Sequence, residues 1–334
     1  MALIHCWVWV YLAAVGILFA RADEKVGIWP MPAHVQYGSH TVGVSKRFAL
    51  SIIGNNPPSH SKSSAILLKG FNRLLHNINL YRVQEDNTDH LLLGLRLTID
   101  SWDDQLQFGT DESYTLKVPD PDYPKYACLK GNTIYGALHG LETLSQLCLF
   151  NSKTKNVMVS MAPWIIIDQP RFSYRGLLID TSRHFQPLEI IKKVIDAMAY
   201  SKLNVLHWHI VDTQSFPLEI PSLPNLWNGA YSPSERYTMK DAREIVGYAQ
   251  MRGINVLAEI DVPGHAASWG IGYPQLWPSS HCQQPLDVSN EFTFKVIDSI
   301  LSDFSKVFKF KFVHLGGDEV DTSCWSQTRH IGNW

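Results

Sequence analysis

Residues 204–212 read Asn-Val-Leu-His-Trp-His-Ile-Val-Asp, a short apolar run that ends in a carboxylate. Three other segments have the same form: Tyr174–Asp180, Ile254–Asp261 and Phe312–Glu319. Strands that are buried on both faces of a parallel sheet show this pattern, with chemically active side chains at their carboxyl ends. The sequence therefore predicts four parallel strands, of which the one in the quoted run spans Asn204–Ile210.

Helical segments lie between these predicted strands. Pro187 precedes apolar residues at helical spacing, and Thr238 with Asp241 predicts a capping box at the start of a second helix. No glycine-rich phosphate loop follows the first strand, which argues against an open, doubly wound sheet. The repeat instead predicts an α/β fold of the (β/α)8 TIM type. A complete barrel has eight units and about 250 residues, so we expect residues 169–334 to form an incomplete catalytic barrel with only its first four units.

The N-terminal half has a different character. Residues 23–168 mix strand-like segments with two amphipathic helices and show no catalytic cluster, which predicts an α+β domain. Residues 1–22 combine an apolar run with the small-x-small sequence Ala20-Arg21-Ala22, and this predicts a secretory signal peptide. An uncleaved membrane anchor is the alternative, although a run of about 15 residues is short for a spanning helix.

Composition and cysteines narrow the possible functions. The 334 residues are 45% apolar and carry a formal net charge of −2, which gives no reason to expect nucleic acid or an anionic membrane as a partner. Four cysteines follow the predicted signal, and four cysteines allow three pairings. We predict the two pairs that each lie within one predicted domain, Cys128–Cys148 and Cys282–Cys324. No cysteine or histidine cluster has zinc spacing, so no structural metal is expected.

The strongest indication of a reaction site is residues 314–319, His-Leu-Gly-Gly-Asp-Glu, at the end of the fourth predicted strand. Two adjacent carboxylates, Asp318 and Glu319, repel each other, so a purely structural role is poorly motivated. One of them could instead gain proton affinity and act as a general acid. The other three strand ends also have ionisable residues, and such groups are costly in a barrel mouth unless they are used or paired. These residues are Asp180, Arg183 and His184, preceded by Arg175 inside the first strand; His207, His209 and Asp212; Glu259, Asp261 and His265.

These motifs, in this order, resemble the family 20 β-N-acetylhexosaminidases. The likeness covers most of the chain from about Trp29 and includes a helix from Gly136 to Leu147. It implies that residues 23–168 are the family's α+β accessory domain, without catalytic residues. It implies hydrolysis of terminal β-linked N-acetylglucosamine or N-acetylgalactosamine with retention of configuration. It also implies assistance by the substrate's own acetamido group, an exception to the scheme with two enzyme carboxylates.

The resemblance also implies a role for individual residues. Glu319 would protonate the leaving oxygen, and Asp318 would hold the acetamido N–H. Arg175 would bind hydroxyls of the terminal sugar. Asp212 and His265 would stand behind Glu319 and tune its proton affinity. Supporting roles, without further assignment, fall to three other strand-end residues, Glu259, His209 and Asp261.

Two other functions stay open at this point. His207 and His209 on one strand, with nearby aspartates, could belong to a metal-dependent barrel hydrolase, although its remaining ligands are not found. A catalytically impaired, truncated fragment that only binds carbohydrate is the non-enzymatic alternative. For the enzyme we expect no cofactor, glycans ending in N-acetylhexosamine as partners, and an extracellular, vacuolar or lysosomal location. No membrane association is expected after signal cleavage, and a homodimer is left open.

Overall fold

The computed structural model describes residues 27–54, 61–80 and 91–332. The predicted signal peptide, residues 1–22, lies outside these ranges. Within them the chain forms two sheets, one of six strands and one of three, and each sheet packs in its own main hydrophobic cluster. No helix in the described ranges is long and apolar enough to cross a membrane.

The six-stranded sheet is built from the N-terminal half of the chain. Its strands are β1 (His34–Ile52), β2 (Leu91–Ser101), β3 (Tyr114–Val118), β4 (Tyr126–Thr133), β5 (Cys148–Asn151) and β6 (Asn156–Asp168). They stand in the order β1-β2-β4-β3-β6-β5, and the long β1 also pairs with β6. The sheet is mixed. β2 pairs in parallel with both β1 and β4, whereas β1 pairs with β6 in the antiparallel direction.

Two helices, α1 (Lys62–Asn79) and α2 (Ile134–Leu147), pack with this sheet in one core. The strand pattern explains the core, because Tyr114, Leu116 and Val118 of β3 alternate with less buried residues. The hydroxyl of Thr133 caps α2 by accepting hydrogen bonds from two of its first backbone N–H groups. This half of the chain therefore has the predicted mixture of strands and helices.

The second sheet consists of β7 (Gly176–Asp180), β8 (Val205–Val211) and β9 (Asn255–Ile260), all parallel. These strands begin and end within two residues of the predicted ones. The connecting and following helices are α3 (Leu188–Tyr200), α4 (Met239–Gln250), α5 (Trp269–Gly272), α6 (Glu291–Ser305), α7 (Ser323–Gln327) and α8 (Arg329–Gly332), with short 3-10 turns at Pro224–Gly229 and Pro274–Leu276. The capping box of Thr238 and Asp241 at the start of α4 is confirmed.

The fourth predicted strand, Phe312–Glu319, is less regular than the other three. It runs beside β9 and is joined to it by backbone hydrogen bonds, among them His314 N–H to the Ala258 carbonyl at 3.0 Å. Only one ladder position, Glu259 opposite His314, forms within this segment. Gly316 and Gly317 have left-handed φ angles of 64° and 101°, which bend the chain out of the extended conformation that a ladder requires.

The two predicted disulfides have different outcomes. Cys282 and Cys324 are bonded, with Cα atoms 5.8 Å apart, as predicted. The predicted Cys128–Cys148 disulfide is wrong, because no bond joins these two residues. Cys128 lies on β4 and Cys148 begins β5, and two other strands stand between them in the sheet. Three strand spacings of about 4.8 Å exceed the Cα separation of about 7 Å that a disulfide can bridge.

Candidate active site

The carboxyl ends of the parallel sheet bring most of the predicted site residues together around Asp212. This buried carboxylate directly follows β8. Its Oδ2 atom lies 2.8 Å from both Arg183 Nη2 and His209 Nε2, and its Oδ1 atom lies 3.1 Å from His265 Nδ1. Burial alone would raise the pKa of Asp212, yet these partners and the backbone N–H of Thr213 hold that pKa below its usual value. Asp212 is therefore ionised, and each of its two oxygens has nitrogen partners at hydrogen-bonding distance.

His265 connects Asp212 to the two adjacent carboxylates. Its second ring nitrogen, Nε2, lies 3.5 Å from Glu319 Oε2 and 3.8 Å from Asp318 Oδ2. That nitrogen is buried and makes no hydrogen bond within the described part of the chain. The side chains of Asp318 and Glu319 are 68% and 80% exposed, so they present their oxygens to the open side of the site. An imidazole between a buried carboxylate and an accessible one is an arrangement suited to adjusting proton affinity.

Two non-glycine residues of this cluster have left-handed backbones. His265 and Glu319 both have a φ of 51°. For residues other than glycine, asparagine and aspartate this conformation costs roughly 1 kcal/mol or more, and such strain is concentrated at functional sites. The backbone is thus held in an unfavourable shape at the two residues whose side chains face each other.

Asp261, at the end of β9, supports the loop that carries the carboxylates. The backbone N–H of Gly317 donates to Asp261 Oδ1 at 3.0 Å. Burial and the neighbouring Asp318 carboxylate raise the pKa of Asp261 to about 6, although the Gly317 hydrogen bond and His265 act in the opposite direction. At mildly acidic pH Asp261 can therefore keep a proton and donate it in a hydrogen bond to Asp318. A Cβ atom on Gly316 would stand 1.9 Å from Asp261 Oδ1, so only glycine fits there.

Glu259, on β9, has three imidazole rings around its carboxylate. Its Oε2 atom lies 2.5 Å from His207 Nε2 and 3.0 Å from His209 Nδ1, and its Oε1 atom lies 3.0 Å from His314 Nδ1. The carboxylate is buried, which would raise its pKa, but hydrogen bonds from the histidines lower the pKa well below the usual value. His209 thus joins Glu259 to Asp212.

Some of these groups have the composition of metal sites. The ligand atoms of three trios lie within 4.8 Å of one another: His207, Glu259 and His314; Asp212, Asp261 and His265; His265, Asp318 and Glu319. In the first trio the ring nitrogens already lie at hydrogen-bonding distance from Glu259. A bound cation would have to replace those hydrogen bonds, so the contacts fit a hydrogen-bonded network better than a metal centre.

The structure does not bring Arg175 to this site. Arg175 precedes β7, whereas the cluster lies at the other end of the strand, about 16 Å away for five residues at 3.3 Å each. Its guanidinium is used elsewhere: Nη2 pairs with the buried Glu112 at 2.9 Å, and Nε donates to the Lys202 carbonyl at 2.8 Å. Its position therefore does not support the predicted contact with sugar hydroxyls.

Arg183 occupies the position that was expected of Arg175. Its guanidinium contacts Asp180 and Asp212, both at 2.8 Å, and its side chain is still 37% exposed to the open face of the site. The signal for this residue was present in the sequence, since Arg183 follows the carboxyl end of its strand, where chemically active side chains of parallel strands lie. The remaining predicted residues, Asp212, His265, Asp318 and Glu319, are brought together.

Known proteins match this chain over nearly all of its length. The model described as glycosyl hydrolase family 20, catalytic domain, matches residues 172–334, and the model described as beta-acetyl hexosaminidase like matches residues 28–147. The chain is 61% identical to beta-hexosaminidase 3 of Arabidopsis thaliana over 327 residues and 50% identical to beta-hexosaminidase 1 of the same plant over 325 residues. These alignments cover 96% and 94% of the chain but 61% and 59% of the two relatives.

A solved structure also matches most of this chain. The chitobiase of Flavobacterium johnsoniae matches 92% of this chain with a TM-score of 0.78 and 31% identity, and 47% of that protein is covered. The chain belongs to glycosyl hydrolase family 20. It spans about three fifths of the length of the two Arabidopsis thaliana relatives.

Proposed function

We propose that this chain carries the catalytic carboxylates of a β-N-acetylhexosaminidase. The enzyme would remove terminal, non-reducing, β-linked N-acetylglucosamine or N-acetylgalactosamine from glycoconjugates. The observation that supports this most is the position of His265, which is backed by Asp212 and faces both Glu319 and Asp318. This arrangement supplies one carboxylate whose proton affinity can be adjusted and a second one beside it.

In the first proposed step, the carbonyl oxygen of the substrate's acetamido group attacks the anomeric carbon. The glycosidic C–O bond breaks as Glu319 gives its proton to the leaving oxygen, and an oxazolinium ion forms. Asp318 accepts a hydrogen bond from the acetamido N–H, so its negative charge stabilises the positive charge of the ion. Asp261, protonated at mildly acidic pH, would hold Asp318 in place.

In the second step, Glu319 acts as the base. It removes a proton from water, the water oxygen bonds to the anomeric carbon, and the oxazolinium C–O bond breaks to restore the acetamide. Two displacements at the same carbon give overall retention. His265 lies on the side of Glu319 that faces Asp212, so it can stabilise each of the two charge states through which Glu319 passes.

We assign the binding of sugar hydroxyls to Arg183 and no longer to Arg175. The Arg183 guanidinium is fixed by Asp180 and Asp212, yet it keeps exposed N–H groups at the mouth of the site. A planar group with five donors, held by two carboxylates, is well suited to binding the hydroxyls along one edge of a sugar ring.

We further propose that the parallel sheet is part of a (β/α)8 barrel. Apolar side chains are exposed on β7 and on the segment beside β9, at both edges of the sheet: Leu177, Leu178, Phe312, Val313 and Leu315. Further parallel strands at these edges would bury them and satisfy the unpaired backbone groups. Residues 23–168 would then form an accessory domain without catalytic residues. The Cys282–Cys324 disulfide supports passage through the secretory pathway, with an extracellular, vacuolar or lysosomal destination.

The test is hydrolysis of 4-nitrophenyl N-acetyl-β-glucosaminide and of the corresponding galactosaminide at mildly acidic pH. Replacing the general acid, Glu319→Gln, should lower kcat by roughly 100- to 10,000-fold, whereas Glu189→Gln on the outside of α3 should leave it unchanged. Turnover that survives Glu319→Gln would contradict the assignment.

A second function is sugar binding without hydrolysis. It is favoured by the high exposure of the Glu319 side chain, because a general acid is more effective when its carboxyl group is shielded from water. Saturable binding of N-acetylglucosamine that is weakened by Arg183→Met, together with no turnover by the native chain, would identify that function.

A further inference from the structure

Glu259 is a buried carboxylate that the proposed reaction does not use directly. Three imidazoles face it, from His207 and His209 on β8 and from His314 on the segment beside β9. Burying a carboxylate is costly, and placing one at the centre of three histidines goes beyond what filling the core requires. Glu259 lies on β9, opposite His209 of β8 in the parallel ladder.

His209 connects Glu259 to Asp212. Its Nδ1 atom lies 3.0 Å from Glu259 Oε2, and its Nε2 atom lies 2.8 Å from Asp212 Oδ2. A neutral imidazole has only one N–H group, so it can donate to only one of these oxygens. With a carboxylate at each ring nitrogen, the doubly protonated and positively charged ring satisfies both contacts.

The surrounding charges are consistent with a charged ring. Around His209 stand three carboxylates, Asp212, Glu259 and Asp180, against one cation, Arg183, whose Nη1 lies 3.4 Å from His209 Nε2. Around Asp212 stand Arg183, His209 and His265; around His265 stand Asp212, Asp318, Glu319, Asp261 and Arg183; around Glu259 stand the three histidines named above. Burial would lower the pKa of His209, yet hydrogen bonds to Asp212 and Glu259 raise it to about 10. Negative and positive groups therefore alternate from Glu259 through His209 to Asp212.

We propose that Glu259 is a positioning residue for the general acid. It holds His209 as a charged bridge, and this bridge neutralises Asp212 and so limits how strongly Asp212 draws a proton onto His265. This inference rests on the proposed role of Glu319. Glu259 itself touches neither Glu319 nor the reacting atoms, and it acts through four successive contacts, by way of His209, Asp212 and His265.

The direction of the effect follows from the charges. In a Glu259→Gln variant, His209 loses one carboxylate and keeps its charge only at lower pH. Asp212 is then less neutralised and attracts a proton onto His265 more strongly. A protonated His265 favours the ionised form of Glu319, which cannot act as an acid. The basic limb of kcat/KM should therefore move to lower pH.

The experiment compares the native chain with Glu259→Gln and with a matched control, Glu244→Gln on α4, whose carboxylate pairs with Lys192 on the outside of the sheet. Imidazole ¹⁵N spectra are recorded from pH 5 to pH 10, with His209→Gln and His265→Gln used to assign the signals. In the native chain and in the control, His209 should stay charged beyond pH 8. In Glu259→Gln, the His209 ring should lose its charge below pH 7, within the range in which the basic limb is measured, and the His265 signals should then move toward those of a protonated ring.

The same three proteins are assayed for kcat/KM against pH. A basic limb that moves to lower pH only in Glu259→Gln supports the proposal, because a merely structural loss would lower the rate at every pH alike. A native His209 that titrates near pH 6.5, or a His265 titration that Glu259→Gln does not move, overturns it. These NMR results do not require turnover, whereas activity that survives Glu319→Gln would overturn the proposed function separately.

Discussion

Arg175 Nη2 lies 2.9 Å from Glu112 Oε2, so the residue before β7 is paired with a buried carboxylate that precedes β3. The two side chains are 15% and 5% exposed. Burial raises the pKa of Glu112 in spite of the nearby Arg175 guanidinium, which shows that the carboxylate depends on this partner. Lys202, whose carbonyl accepts a hydrogen bond from Arg175, forms a second such contact. Its Nζ atom lies 3.1 Å from Asp168 Oδ2 and 2.9 Å from Tyr114 Oη. Buried ion pairs therefore join the two sheets.

Removing the guanidinium, Arg175→Met, should lower the free energy of unfolding by about 3 kcal/mol, since it leaves a buried charge without its partner. Equilibrium urea unfolding measures this. The matched control is Lys130→Met, which breaks an exposed pair with Asp100 and should cost less than about 1 kcal/mol. An Arg175→Met variant as stable as the native chain would show that the pair does not contribute to stability.

Arg183→Met should have the opposite profile, with a large loss of function and a smaller loss of stability. A charged hydrogen bond to a substrate hydroxyl contributes about 1.5–3 kcal/mol, so we expect kcat/KM for the chromogenic glucosaminide to fall by roughly 10- to 150-fold. Arg183→Lys should recover only part of that loss, because an ammonium group has no planar set of five donors. If Arg175→Lys reduces kcat/KM more than Arg183→Lys does, then the sugar contact was assigned to the wrong arginine.

Gly316→Ala should distort the loop that carries the carboxylates. The added methyl group would stand 1.9 Å from Asp261 Oδ1, and the φ of 64° is unfavourable for alanine. We expect the free energy of unfolding to fall by about 2 kcal/mol or more. We also expect the rate of hydrolysis to fall when it is measured at the same substrate concentration as for the native chain. Gly317→Ala is the control, because among the described residues no atom beyond its chain neighbours lies within 4 Å of the added Cβ, and it should show only the cost of the backbone conformation. Equal effects of the two substitutions would argue against a specific contact with Asp261.

The disulfide between Cys282 and Cys324 closes a segment with a sequence separation of 42. The chain-entropy relation gives about 4 kcal/mol for a loop of this length, so Cys324→Ser should be clearly less stable in thermal and urea unfolding. Trp325 Nε1 donates to the Leu286 carbonyl at 3.0 Å across the same loop, so some order should persist without the bond. Cys128→Ser, which breaks no disulfide, should change stability by less than about 1 kcal/mol.

The charged state of His209 should appear in the pH dependence of stability. Its pKa is raised to about 10 in the folded chain, against about 6.5 when unfolded. A raised value means that the contribution is fully present below pH 6.5 and is lost as pH rises toward 10. The difference in unfolding free energy between the native chain and His209→Gln should therefore shrink between pH 6.5 and pH 10. The exposed His76→Gln control should show no such trend, and a constant difference for His209→Gln would indicate a neutral ring.

Local patterns predicted the parallel sheet well, because a buried strand leaves a short apolar run with a polar end. The bounds of β7, β8 and β9 lie within two residues of the expected ones. The segment 312–319 was harder to predict, since its hydrogen bonding is interrupted by two left-handed glycines. Glycine in a sequence indicates that such a conformation is allowed and does not show that it occurs.

Features that depend on which strands are neighbours could not be predicted from the sequence. The wrong pairing of Cys128 with Cys148 follows from the order of the six-stranded sheet, in which consecutive strands are often not adjacent. The site residues on the strand ends were predictable, because parallel strands bring their carboxyl ends together. The family resemblance implies Arg175 as the sugar-binding residue, whereas the strand direction alone favours Arg183.

The left-handed backbones of His265 and Glu319 have a consequence for variation at this site. Glycine or asparagine would relax position 319 and remove roughly 1 kcal/mol of strain, while eliminating the proposed acid. Random mutation screened only for thermal tolerance would therefore collect inactive proteins altered at these positions. Selection for catalysis must continually oppose that drift, so the two residues mark where folding and chemistry favour different amino acids.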